Sequence, residues 1–99
     1  MPKLLNSALL GENIKRIRLQ RGLTQEQTVA KLQVLGSPLS RSTYSLIEMG
    51  RGNLFVNDLV GLKMVFSVPY EEFFRDIPPS RSAKREDQND PLAKRRSAK

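Results

Sequence analysis

The chain has 99 residues, a net charge of +7 and a hydrophobic fraction of 38%, which together allow one small domain with a modest core. It contains no cysteine and no histidine, so disulfides and thiolate metal sites are excluded and the commonest general base is missing. No apolar run approaches the roughly 18 residues of a membrane span. Composition therefore favours a cytoplasmic binding protein over an enzyme, without a metal or cofactor.

The positive charge is concentrated in two parts of the chain. Residues 1–51 carry eight Lys or Arg and three Asp or Glu (+5), residues 52–77 carry two and four (−2), and residues 78–99 carry seven and three (+4). A basic first half beside an acidic segment favours a basic face for nucleic acid or an anionic membrane. A solvated charge excess without a partner is the alternative that the charge count leaves open.

Composition also divides the chain into three parts. We expect an N-terminal arm over residues 1–8, a helical domain over residues 9–77 and a disordered basic tail over residues 78–99. The tail has no aromatic residue and one large aliphatic residue, Leu92, so it cannot bury enough apolar surface to offset the cost of ordering. It either contacts nucleic acid or only solubilises the protein, and its three acidic residues slightly favour the second role.

The spacing of apolar residues before residue 78 predicts an all-α domain of five short helices. In the first helix, Leu10, Ile14 and Ile17 form the inner face, and Gly22 ends it as a left-handed cap. Thr24 is a good N-cap for a second helix that runs to about residue 32 or 35. The sequence GSP, residues 36–38, then interrupts the helical pattern.

The remaining three helices have weaker boundaries. Ser40 caps the third helix, which Gly50 or Gly52 ends, and Asn53 or Asn57 caps the fourth. The fourth helix is expected to present Leu59, Leu62, Val65 and Phe66 inward. A short fifth helix is expected to be anchored by Tyr70, Phe73 and Phe74.

The third helix opens with a short, polar and cationic turn opposite its apolar stripe of Tyr44 and Ile47. Its outer face carries Arg41, Ser42, Ser45 and Leu46. Short side chains let a helix enter the major groove, where Arg41 can meet guanine O6 and N7. The free N–H groups at the starts of the second and third helices suit phosphate. An ordinary capped surface helix is the alternative, and periodicity alone favours it.

Two charged residues lie at equivalent edges of the apolar stripes. Glu48 follows Ile47 in the third helix, and Arg18 follows Ile17 in the first. A carboxylate and a guanidinium at these edges can pair and connect the two helices with a specific geometry. Two unrelated surface charges are the alternative.

Three segments, LGENIKRIRLQRGLTQEQ, SRSTYSLIEMGRG and SVPYEEFF, resemble the Xre-type helix-turn-helix family of lambdoid phage repressors and Cro proteins. The resemblance covers residues 10–74, about two thirds of the chain. It implies a repressor-like fold and a transcriptional regulator, a repressor more simply than an activator, that binds double-stranded DNA as a homodimer. An antitoxin-like module with a protein partner is the alternative within the same fold.

The resemblance also implies roles for individual residues. The positions that match base-reading residues are Arg41, Ser42 and Leu46, with Ser45 on the same face. Those that match or adjoin phosphate-binding positions are Thr24, Gln25, Ser40, Thr43, Arg51 and Asn53. Arg18 and Glu48 match a buried ion pair that braces the recognition helix.

The segment after the third helix is acidic and rich in aromatic residues, so we expect it to face away from DNA and to hold the dimer interface. Phe55 is the first choice for an interface anchor and Tyr70 the second. The alternative is that most of these aromatic residues belong to the core, which is the expectation for Phe73.

Overall fold

The computed structural model of the chain describes residues 3–4 and 8–79. Four α-helices, α1 (Ala8–Gln20), α2 (Gln25–Val34), α3 (Arg41–Glu48) and α4 (Val56–Phe66), are followed by a 3-10 helix, Tyr70–Phe74. Two short strands, β1 (Lys3–Leu4) and β2 (Leu54–Phe55), pair in antiparallel fashion. The mostly helical class is therefore confirmed. The rest of the predicted arm and the predicted disordered tail beyond residue 79 lie outside the described residues.

The local signals for the first three helices are confirmed. Thr24 caps α2, because its hydroxyl accepts the N–H of Gln27 at 3.0 Å while the Gln27 side chain accepts the N–H of Thr24 at 2.9 Å. Ser40 caps α3 by accepting the N–H of Thr43 at 3.2 Å. Gly22 follows α1 with a φ of +71°, which a residue with a side chain rarely adopts. Each signal acts within four residues of the helix end, so sequence reasoning could find it.

The predicted cap of the fourth helix is wrong. Neither Asn53 nor Asn57 is the N-cap, because α4 begins at Val56 and Phe55 occupies the cap position in an extended conformation. The strand pairing with β1 holds Leu54 and Phe55 extended up to the start of the helix. Asp58 compensates by accepting the N–H of Phe55 at 3.1 Å.

The predicted fifth helix is a 3-10 helix instead of an α-helix. The amide of Asn13 in α1 donates to the carbonyls of Phe73 at 2.9 Å and Arg75 at 2.8 Å. These bonds hold the end of the segment against α1, and 3-10 geometry occurs mostly in short pieces of chain, of which this one has five residues. Phe73 is fully buried, as expected, and its ring stacks on that of Phe66 with 6.4 Å between centroids.

The core lies between the helices, and Arg21, the residue after α1, binds the C-terminal end of α4. The guanidinium of Arg21 donates to the carbonyls of Phe66 at 2.6 Å and Ser67 at 3.3 Å, which satisfies the end of α4. No helix among the described residues combines the length and the apolar composition needed to cross a bilayer. The largest fully buried side chains are Tyr44, Phe66, Phe73, Ile14, Ile17, Leu32, Leu54 and Leu62.

Backbone contact between α1 and the end of α3 depends on Gly11. A Cβ atom at Gly11 would lie 2.5 Å from the carbonyl oxygen of Ile47 and 2.6 Å from that of Glu48. These atoms belong to the backbone of α3, so they cannot move aside without moving the helix. Gly11 therefore sets the distance between the two helices.

We predict that Gly11→Ala lowers the free energy of unfolding by about 2 kcal/mol or more, because the clash outweighs the gain in helix propensity. Gly61→Ala is the matched control. Gly61 also lies within a helix, but its added Cβ would approach a side-chain methyl of Leu32 at 2.9 Å, which can rotate. Chemical denaturation of both variants measures the two losses of unfolding free energy. A larger loss for Gly61→Ala than for Gly11→Ala would contradict this account of the packing.

Candidate nucleic-acid interface

The outer face of α3 is a short polar surface with few projecting side chains. Arg41, Ser42 and Leu46 are exposed and Ser45 is half-buried, so the four expected base-reading residues share one accessible side of the helix. The opposite side is buried: Tyr44 is fully enclosed by the core, and Ile47 and Glu48 are almost so. The helix is therefore held along one side and free along the other.

Arg18 and Glu48 form the ion pair that the sequence predicts. Nε of Arg18 donates to Oε2 of Glu48 at 2.6 Å, and Nη2 donates to Oε1 at 3.1 Å. Nη1 of Arg18 also donates to the carbonyl of Leu23 at 2.8 Å, between α1 and α2. Both side chains are nearly inaccessible. The bidentate geometry fixes the last turn of α3 relative to α1.

Gln25 joins this pair, a contact that sequence reasoning missed. Its Nε2 donates to Oε1 of Glu48 at 3.0 Å, so the first residue of α2 is tied to the last residue of α3. The side-chain amide of Gln25, which was expected to bind phosphate, thus donates a hydrogen bond to Glu48. No local pattern predicts this bond, because α2 and α3 must first be placed side by side. We name the three residues Arg18, Gln25 and Glu48 the brace.

Burial raises the pKa of Glu48, but the hydrogen bonds from Arg18 and Gln25 and the positive charge of Arg18 outweigh this effect, and the pKa lies below its ordinary value. The hydrogen bond to Glu48 likewise raises the pKa of Arg18. The hydroxyl of Tyr44 is buried near the pair, and burial raises the pKa of this phenol so that it stays neutral. The brace is therefore charged on both sides at neutral pH.

The starts of α2 and α3 lie close together on the exposed side. Nη1 of Arg41, the first residue of α3, is 3.8 Å from Oε2 of Glu26 in the first turn of α2, and both side chains are exposed. The capping residues Thr24 and Ser40 are exposed as well. Two helix starts with free backbone N–H groups thus face the same region of solvent.

The other residues expected on phosphate lie beside the two helix starts or directly after α3. Thr43 is exposed in the first turn of α3 and accepts a hydrogen bond from the Ser40 hydroxyl at 3.1 Å. Arg51 and Asn53 are exposed in the segment that follows the helix. These positions surround the outer face of α3 with groups able to donate hydrogen bonds.

The two aromatic residues expected at a dimer interface are not neighbours. Phe55 is half-buried and precedes α4, whereas Tyr70 is exposed and follows it, so a helix of 11 residues separates them. Tyr70 is already in contact with a cation, since Nζ of Lys63 lies 5.2 Å from the centre of its ring. Phe55 and Tyr70 therefore belong to two different candidate surfaces for a dimer interface.

Within the described residues, no group of three or more His, Cys, Asp and Glu side chains is arranged to hold a metal ion. Comparison of the chain with models of known protein families and with curated protein sequences gave no match.

We predict that Glu48→Ala lowers the free energy of unfolding by about 3–5 kcal/mol, because it leaves the Arg18 cation buried without its partner. Glu72→Ala is the control, since Glu72 also pairs with an arginine, Arg16, at 3.6 Å but is partly exposed. That variant should lose less than about 1 kcal/mol. Equal losses in thermal or chemical unfolding would contradict a special role for the buried pair.

The stability that Glu48 contributes should depend on pH in acid. Its pKa is lowered in the folded state, so the unfolded chain takes up the proton first as the pH falls below the ordinary value of 4.5. The contribution is therefore fully present above that pH and is lost below it. We predict that the difference in unfolding free energy between the wild type and Glu48→Gln is constant near neutral pH and narrows below pH 4.5. A difference that stays constant down to the lowest pH measured would be inconsistent with a lowered pKa.

Proposed function

We propose that the chain is a cytoplasmic transcriptional regulator of the Xre helix-turn-helix type that binds double-stranded DNA as a homodimer and acts as a repressor. The observation that carries the proposal is the exposed polar face of α3 together with the brace behind it. A helix that reads bases must keep its position in the major groove within a fraction of its own width. The buried contacts of Arg18, Gln25 and Glu48 supply that rigidity.

In the proposed complex, α3 lies in the major groove with Arg41 directed at a guanine. Arg41 presents a planar group with two donors that matches guanine O6 and N7, and Ser42 and Ser45 are short enough to let the helix approach. Leu46 adds an apolar contact of the kind that suits a thymine methyl group. The exposed ion pair of Arg41 with Glu26 is weak, so DNA can displace Glu26 at little cost.

Contacts to the phosphates position the protein on the duplex in this proposal. The starts of α2 and α3 offer backbone N–H groups and the positive ends of two helix dipoles. Arg51 and Asn53, which are exposed after α3, extend the contact along the backbone. Such contacts fix the register, while base contacts from α3 select the sequence. A repressor of this kind needs no catalytic group, because occupation of the site is enough to block polymerase.

The test begins with selection of bound sequences from a random duplex library, followed by affinity measurements on the enriched site. We predict that Arg41→Ala weakens binding to that site by about 1–3 kcal/mol and relaxes the preference at one base pair. Arg75→Ala is a matched control, since the Arg75 and Arg41 side chains are 57% and 59% exposed and each pairs with a glutamate. Arg75→Ala should leave the base preference unchanged.

Two outcomes would count against the proposal. If Arg41→Ala weakens binding equally to all sequences, Arg41 contacts phosphate instead of a base. If no sequence is enriched and affinity for duplex DNA hardly changes with salt, the chain does not use phosphate contacts. The second result would favour the alternative, an antitoxin-like module whose main partner is another protein.

A further inference from the structure

A groove of about 640 Å³ lies between the end of α2, the turn before α3 and the outer side of α4. Leu32 and Leu39 line it as buried residues of the core, and half-buried Phe55 adds an aromatic side chain. Gly61 of α4 allows Leu32 to pack closely against that helix at the base of the groove, since a Cβ added at Gly61 would be 2.9 Å from a methyl of Leu32. A concave apolar surface thus opens to solvent beside α3.

Large apolar side chains project from the rim of this groove. Leu35 follows α2, and Val60 and Met64 are four residues apart on α4, so the latter two lie on the same side of that helix. All three are exposed. Single exposed apolar residues are ordinary, but three around one apolar groove form a continuous patch of the kind that another protein surface covers.

The electrostatics of the groove are unusual for a chain of net charge +7. Among residues 8–79, no lysine or arginine lines it. Its one acidic residue, Asp58, is buried and accepts the N–H of Phe55. Among residues 8–79, two copies of the chain can therefore bring these surfaces together without opposing cations.

The C-terminal segment is poorly suited to fill the groove. Residues 80–99 contain a single large aliphatic residue, Leu92, and carry a net charge of +4, from seven basic and three acidic residues. Such a segment has too little apolar surface to cover Leu35, Val60 and Met64. A second copy, in contrast, brings both an apolar groove and the apolar side chains around it.

We infer that this groove is the self-association surface of the protein, occupied by the same surface of a second copy across a two-fold axis. A two-fold contact uses one patch twice, so the patch must be complementary to itself, and this one contains both projecting side chains and a recess. The inference rests on the proposed function, which supplies the reason for the protein to form a dimer. It assigns pairing to the side of α4 that carries Phe55 and Met64, and not to the surface of Tyr70.

The groove also adjoins the reading helix. Ser40 and Thr43, the cap and first turn of α3, form part of its wall. A second copy seated in the groove therefore lies beside the start of α3, at the edge of the surface that is proposed to face DNA.

The experiment is sedimentation equilibrium of the full chain over a range of concentrations, without DNA. Met64→Lys is the test variant, because Met64 is 58% exposed and its replacement should not disturb the fold. Leu19→Lys is the matched control, since Leu19 is 57% exposed on α1 and does not line the groove. We expect the wild type and Leu19→Lys to dimerise alike, and Met64→Lys to raise the dimer dissociation constant about tenfold or more, because it places a charge in the apolar contact.

Several results would overturn the inference. These are a monomeric wild type, unchanged dimerisation of a folded Met64→Lys variant, or a loss of dimer in Tyr70→Lys instead. A wild type that dimerises only after removal of residues 80–99 would assign the groove to the tail. Because dimerisation is measured without DNA, its failure is separate from that of the proposed function. A monomer that still selects a DNA sequence refutes the pairing surface and the homodimer but leaves DNA reading by α3 in place, whereas a dimer without DNA affinity refutes DNA binding and leaves the pairing surface in place.

Discussion

The buried contact between Arg18 and Glu48 is the interaction on which the arrangement of the first three helices depends. One guanidinium joins α1 to the end of α3 and to the carbonyl before α2, and Gln25 closes the connection from α2 to α3. The net stabilisation from a buried ion pair is small, because both charges lose their hydration. Its geometry is strict, however, since a displaced guanidinium would leave two buried charges unpaired. The brace therefore specifies orientation more than it adds stability.

The brace can form only if α1 and α3 lie close together, and the packing around it allows this. Gly11 lets the backbone of α1 touch that of α3, so Arg18, two turns further along α1, reaches Glu48 without strain. On the other side, Asn13 and Arg21 bind the carbonyls of the 3-10 helix and of α4. The outer face of α3 is left uncovered as a result, and a short helix of eight residues acquires a fixed position.

Two surfaces of different chemistry follow from this packing. The starts of α2 and α3 with Arg41 form a polar surface with donors and a cation, which suits an anionic polymer. The groove beside α4 is apolar and, among residues 8–79, lined by no lysine or arginine, which suits a surface of its own kind. They meet at Ser40 and Thr43, so one turn of the chain belongs to both.

The sequence by itself determined the features that act over a few residues. Thr24, Ser40 and Gly22 set the ends of α1 to α3 because caps and left-handed turns depend on local backbone groups. The pair of Arg18 and Glu48 was predictable because each follows a core residue at the edge of its helix. Only the tertiary structure decided that Gln25 binds Glu48, that Phe55 occupies the cap position of α4 and that the fifth helix is a 3-10 helix. Those outcomes depend on which groups that are distant in sequence come within hydrogen-bond distance of each other. Helical periodicity shows which side of a helix is buried, but it contains no information about the distance between groups on different elements.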